Sequence, residues 1–245
     1  MQTTIPIGKL IKKTLVEQAV EQVQAYILVQ KLTPGDVLPS EMRFTEILGV
    51  SRPVVREALR TLAGRGVLTI ANGRNAVVSP VSATMLIQFF ERATQLNGVA
   101  VVELLEVRLG IEVQSAMLAA SRRTASDITA LRDAIDQLTQ SRNDIDAYSK
   151  LDAALHLRIA AASKNEMLQY FVESLSGGLQ MASLVGLQHR RTRAELDEVH
   201  TDHCELVDAI VSGNGDVARM HMERHVNSAI LAMRRDPEYS DDKVQ

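Results

Sequence analysis

Asp152 and His156 stand four residues apart in a stretch of helical periodicity, so both side chains leave one face of a helix, beside Ile159 and Ser163. His203 shares an apolar stripe with Leu206, Val207 and Ile210, and His225 shares one with Ala218, Met222 and Ala229. Imidazole nitrogen and carboxylate oxygen together suit a divalent metal ion, Zn, Ni or Mn, if these helices converge in a bundle. Spacing leaves alternatives open. His200 shares a face with His203 and His221 shares one with His225, so either pair could clip a metal on its own helix. Any one of these histidines could instead be a hydrogen-bonded core residue.

A second constellation is basic. On a helix starting at Ser51, Val54, Val55, Ala58, Leu59 and Leu62 lie on one side, while Arg52, Pro53, Arg56 and Arg60 lie on the other. Ser51 can cap this helix, and Pro53 is tolerated in its first turn. Two arginines one turn apart near an exposed helix start suit bidentate contact with guanine edges in a major groove, or with phosphates. The plainer reading of the same face is a solvated surface, and only its neighbours in the chain decide against that.

Those neighbours are informative. Val16, Val20, Val23 and Ile27 predict a helix over about Leu15 to Gln30, closed by Thr33-Pro34-Gly35-Asp36. Ser40 predicts the cap of a short helix carrying Phe44, Ile47 and Leu48, which Gly49 ends in a left-handed turn. The arginine helix follows almost at once, a helix-turn-helix arrangement. Val67 to Ile70 and Ala76 to Val78 are β-prone around a turn at residues 71–75, predicting a hairpin or wing. From Ala83 to Arg235 only helical periodicity appears and proline is absent, so a bundle of six or seven helices is expected. The fold class is therefore mainly α. Residues 1–79 form a winged helix-turn-helix, 80–84 a linker, 85–235 an all-helical effector-binding and dimerisation domain, and 236–245 a polar, disordered tail.

Charge is segregated between these parts. Residues 1–79 carry ten Lys/Arg against six Asp/Glu, while the remainder carries seventeen against twenty-four, within an overall net charge of -3. A basic head on an acidic body directs polyanion binding to the head. No run of 18 uncharged apolar residues occurs, the first residues lack a signal-peptide pattern, and Cys204 is the single cysteine, so a cytoplasmic protein without membrane partners is expected.

The runs 34–41 (PGDVLPSE), 48–62 (LGVSRPVVREALRTL) and 66–68 (GVL) resemble the DNA-binding domain of the GntR family of regulators, over about residues 15–79. The resemblance implies that Ser51, Arg52, Val54 and Arg56 touch operator DNA, with Asn72 and Gly73 at the wing tip near the minor groove. Two positions depart from the family pattern. Met42 followed by Arg43 stands where arginine usually comes directly after Ser-Glu, so Arg43 is the candidate for that contact. Asn75 replaces a second wing glycine, and Asn tolerates a left-handed turn.

The runs 106–112 (EVRLGIE), 152–156 with Ile159 and 163–165 (SKN), 203–210 (HCELVDAI) and 216–225 (DVARMHMERH) resemble the effector domain of the FadR subfamily, over roughly residues 101–235. The resemblance implies that Asp152, His156, His203 and His225 hold a divalent metal ion beneath a small carboxylate, leaving His200 and His221 outside the ligand set. It also implies that Arg108 grips that carboxylate. Its planar guanidinium suits the task, although a salt bridge to Glu112 at i+4 is the competing role. Because the acyl-CoA sensor of the subfamily lacks this arrangement, the expected effector is a hydroxy acid, sugar acid or dicarboxylate. The function expected is a homodimeric, operator-binding regulator, a repressor by family habit, and not an enzyme. A metal-dependent hydrolase or lyase is the alternative, and it lacks an evident general base.

Overall fold

The computed structural model describes residues 13–71, 74–96, 100–188 and 192–235. Asn72 and Gly73 of the expected wing tip, and the expected tail 236–245, lie outside the described residues. The chain divides into two compact units, Met1–Met85 and Leu86–Gln245.

The first unit is built by local signals. α1 (Leu15–Val29) starts at a capping box in which the Thr14 hydroxyl accepts from the Glu17 N–H and the Glu17 carboxylate accepts from the Thr14 N–H. α2 (Glu41–Leu48) is capped by Ser40 and ended by Gly49 at φ +65°, where a residue without Cβ enters the left-handed region freely. α3 (Arg52–Gly64) buries Val55, Ala58, Leu59 and Leu62 against α1. Ser51 occupies the N-cap position of α3, but its hydroxyl makes no capping hydrogen bond. Pro53, with no N–H to donate, sits in the first turn. Val20, Val23, Phe44, Val55 and Leu62 form the centre of this core, with Tyr26 edge-on to Phe44 at 5.5 Å between ring centroids.

The wing pairs β1 (Leu68–Thr69) with β2 (Val77–Val78) antiparallel, Leu68 opposite Val78. The strands are shorter than the β-prone runs. Part of the backbone pairing of β2 goes to the segment before α2 instead: Val37 bridges to Val77, and Leu38 N–H donates to Ala76 C=O at 2.8 Å.

The second unit is all helix. α4 (Thr84–Leu96) spans the division between units; then follow α5 (Ala100–Arg122), α6 (Ala125–Gln140), α7 (Ile145–Ala162), α8 (Glu166–Ser174), α9 (Ser176–Gln188), α10 (Arg193–Ser212) and α11 (Gly215–Arg234). Among the described residues this makes eight helices after the linker, against the six or seven expected. The pair Gly177-Gly178, which by composition marks a helix break, lies inside α9 instead, and the chain turns at Leu175. A glycine within a helix costs only about 1 kcal/mol, which tertiary packing overrides. α5 packs along α11, α7 lies against α5, α6 and α9, and α10 against α11. Leu105, Leu131, Leu155, Ile159, Leu206, Ile210 and Met222 are fully buried in this core. Each such aliphatic side chain contributes about 1.5–3 kcal/mol. Three helices of this bundle thereby bring their polar residues to one interior point.

Candidate functional sites: a basic face and a buried histidine cluster

On the first unit, Arg52 and Arg56 project from the open side of α3, their side chains 66% and 46% exposed. Both reach one carboxylate: Arg52 Nε lies 2.9 Å and Arg56 Nη2 3.1 Å from Glu41 Oε2. The hydrogen bonds from Arg56 and then from Arg52 pull the Glu41 pKa below the usual carboxylate range. Glu41 lies in the first turn of α2, so the two helices of the helix-turn-helix share one ion-pair cluster. Arg43 pairs with Glu46 at 2.7 Å, also exposed. Val54 is half-buried against the core, so its outer part alone is available to a ligand. Arg52, Arg56, Arg60 and Arg74 line a groove between α2, α3 and the wing. The structure thus places Ser51, Arg52 and Arg56 together at one open face, with Arg43 on the neighbouring helix.

In the second unit, α7 supplies Asp152 and His156, α10 supplies His203 and α11 supplies His225. One donor atom from each lies within 4.8 Å of all the others, and all four residues are buried. His203 Nε2 is 2.8 Å from Asp152 Oδ1, His156 Nε2 is 3.3 Å from the same oxygen, and His156 Nε2 is 3.1 Å from His225 Nε2. Two nitrogens each about 2.0–2.1 Å from one Zn ion stand about 3–3.4 Å apart. The donor set therefore suits a single small divalent cation in its chemistry, and two of its separations, 3.1 and 3.3 Å, match that spacing.

The electrostatics agree. Burial presses on the Asp152 carboxylate, but the His203 charge and hydrogen bonds from His156 and His203 outweigh it and hold its pKa well below the ordinary value. Burial, together with the charge of His203 and His156, drives the His225 pKa far down and favours its neutral form. His156 is different: burial and the Arg108 charge disfavour its protonated form, but the Glu112 carboxylate and a hydrogen bond to Asp152 together prevail and raise its pKa.

Around the four donors stands a ring of partners. The Tyr148 hydroxyl lies 3.1 Å from His203 Nδ1 and 3.3 Å from His200 Nδ1, and His200 Nε2 is 3.1 Å from Thr139 Oγ1. His200 therefore sits one tyrosine away from the cluster. His221 lies elsewhere, 3.4 Å from Glu205 and 3.1 Å from Arg224. Arg108 is buried on α5, its Nε 2.5 Å from Glu112 Oε1 and its Nη2 3.2 Å from His156 Nε2. The salt bridge weighed as its alternative role is present, and Arg108 also lines a cavity with Asp152, Ser183, His225 and Ser228. Glu112 and Tyr148 were not singled out as site residues from the sequence. Tyr148 carried a signal, since Tyr148, Asp152 and His156 follow one another at steps of four on α7.

Comparison with known proteins bears on both sites. The model of bacterial regulatory proteins of the gntR family matches residues 15–78, and the FCD domain model matches residues 103–228. HTH-type transcriptional regulator LutR of Bacillus subtilis (strain 168) is 30% identical over 202 residues, 81% of this chain and 91% of that protein. The chain belongs to the GntR family. It is a DNA-binding transcriptional regulator in which a GntR helix-turn-helix precedes a helical FCD domain. These families are regulators and not enzymes, which sets aside the hydrolase or lyase alternative. Glc operon transcriptional activator of Escherichia coli (strain K12) is likewise 30% identical, over 89% of this chain and 88% of that one. The structure of Streptococcus agalactiae GntR shares the fold, with a TM-score of 0.68 and 23% identity, covering 89% of this chain and 99% of that chain. In this GntR regulator, no helix among the described residues is long and apolar enough to cross a membrane.

Proposed function

We propose that the protein is a repressor controlled by a small carboxylate bound over a divalent metal ion, with residues 1–79 seated on operator DNA, 80–84 as the linker and 85–235 as the sensor. The observation that carries this reading is the convergence of Asp152, His156, His203 and His225 within 4.8 Å, beside the buried Arg108. A cation held there would act as a Lewis acid for oxygen ligands. Arg108 would grip the effector's carboxylate bidentately, and Ser183 and Ser228 could orient hydroxyl groups of a hydroxy acid, sugar acid or dicarboxylate.

On the DNA side, Arg52 and Arg56 would read base edges in the major groove, Arg43 would hold backbone, Ser51 and Val54 would touch the duplex at the start of α3, and Asn72 and Gly73 would approach the minor groove. A homodimer suits palindromic operators. No residue of α4 is buried and Met85, Phe89 and Leu96 stand exposed on it, which supports a second copy as its cover. The repressing sense and a cytoplasmic setting follow the family expectation.

The test is metal analysis of the purified protein joined to thermal-shift screening of L-lactate, D-gluconate and malonate, each with and without EDTA. Binding raises stability by RT ln(1 + [L]/Kd). About one equivalent of metal and a carboxylate-induced rise in Tm that EDTA abolishes are expected. A protein without metal affinity, or a carboxylate response indifferent to EDTA, would overturn the reading.

A further inference from the structure

Glu112 is the most unusual charged group in the bundle. Its side chain is 2% exposed, and each carboxylate oxygen meets a different partner: Arg108 Nε at 2.5 Å from Oε1, and His156 Nδ1 at 2.6 Å from Oε2. Arg108 and Glu112 are one turn apart on α5, whereas His156 belongs to α7. The second contact is short in distance but off line for an N–H···O bond, and Oε2 has no other hydrogen-bond partner. A buried carboxylate oxygen left so incompletely served is costly, and a histidine that binds a cation through Nε2 is commonly steadied by a carboxylate at Nδ1. Here the Arg108 guanidinium lies over the same imidazole, 3.2–3.3 Å from both ring nitrogens, and competes for that carboxylate.

We infer that Glu112 is a positioning residue that links the effector's anchor to the cation's seat: when a ligand carboxylate satisfies Arg108, Glu112 turns its charge to His156, and the cluster holds its cation more tightly. The inference rests on the reading above and adds its regulation. One carboxylate serves either the arginine or the imidazole fully, so an anion on Arg108 and a cation on His156 favour one another. By linkage the effect is reciprocal.

Zinc dissociation constants, measured by competition with a chromophoric chelator, test this in the full-length protein without any knowledge of the effector. Arg108→Met removes the competing guanidinium and stands in for a neutralised Arg108. Four proteins are compared: wild type, Arg108→Met, Glu112→Gln and the double variant. Arg108→Met should bind zinc at least as tightly as wild type, and Glu112→Gln should bind it about 10–100-fold more weakly. The double variant has neither charge, so it avoids an unpaired buried guanidinium should Glu112→Gln fail to fold. Its zinc affinity should fall below that of Arg108→Met by the same factor. Equal zinc affinity in Arg108→Met and the double variant would overturn the inference while leaving the metal reading standing, as would a loss in Arg108→Met matching that in Glu112→Gln. Absence of zinc binding in both wild type and Arg108→Met would overturn both.

Discussion

Each unit of this chain joins arginine to a glutamate, and the two clusters behave as opposites. On the first unit, Arg52 and Arg56 share Glu41 at 29–66% side-chain exposure. In the second, Arg108 and Glu112 are 2–3% exposed. Exposed ion pairs are worth about 0–1 kcal/mol because water and salt compete for both charges. A buried pair cannot be opened by water, and removing one partner costs about 3–5 kcal/mol. The first cluster can therefore open at little cost, while opening the second requires another charge to take the place of the lost partner inside the bundle. A low-cost ion pair suits the proposed DNA-docking face; a costly one suits the proposed anion site in the bundle.

The largest effect that would test this contrast is Glu112→Ala. It strands a buried guanidinium, so chemical denaturation of the metal-free protein should show a loss of about 3–5 kcal/mol. A loss below about 1 kcal/mol would place the buried pair in the same class as the exposed one. Next comes the proposed reading face. Arg52→Ala and Arg56→Ala should each weaken operator binding by about 1–3 kcal/mol at fixed salt, with zinc affinity unchanged. Unaltered operator affinity in both variants would remove these arginines from the contact set.

Asp127 is an intermediate case, its side chain 17% exposed between Lys164 Nζ at 2.6 Å and the Thr124 cap of α6. Partial burial opposes its charge, but hydrogen bonds from Lys164 and Thr124 prevail and bring its pKa down to about 2. A carboxyl with a lower pKa in the folded chain adds stability that is complete above its unfolded pKa of about 3.9 and disappears as pH falls through about 2. Asp127→Asn should therefore cost about 1–2 kcal/mol at pH 7 and much less at pH 2, a difference that denaturation curves at the two pH values would expose. An equal cost at both would show that the charge contributes nothing.

What the sequence made legible follows the range of the forces involved. The cap at Ser40, the left-handed Gly49 and the apolar side of α3 act within a turn or two of the chain, and each is read directly; the Thr14 capping box is equally local and was missed. The wing was read as a hairpin, but not the bridge from Val37 to Val77, because that pairing joins residues 40 apart with no pattern of its own. The pair Gly177-Gly178 reads as a helix stop, yet the chain turns at Leu175, because the packing of α9 as a whole against α7 and α11 outweighs the modest helix cost of two glycines. For the cluster, spacing paired Asp152 with His156 and left His200 and His221 as rivals. It was the resemblance to a family, not the residues alone, that selected His203 and His225. Glu112 was visible only as an i+4 partner of Arg108, since its second contact crosses from α5 to α7.

The smallest effect expected is also the one that most directly separates the two clusters. Glu41→Gln removes the charge that both arginines share but keeps the side chain's size. Because Glu41 is partly exposed and its partners more so, stability should change by less than about 1 kcal/mol. The freed positive charge should strengthen binding to a non-specific duplex a few-fold and steepen the dependence of log K on log salt by up to about one phosphate contact. A duplex of arbitrary sequence, titrated at several salt concentrations, reads both quantities without knowledge of the operator. If Glu41→Gln instead lowered Tm as far as Glu112→Ala, the arginines of the first unit would be held as firmly as the buried one, and exposure would no longer separate the two clusters.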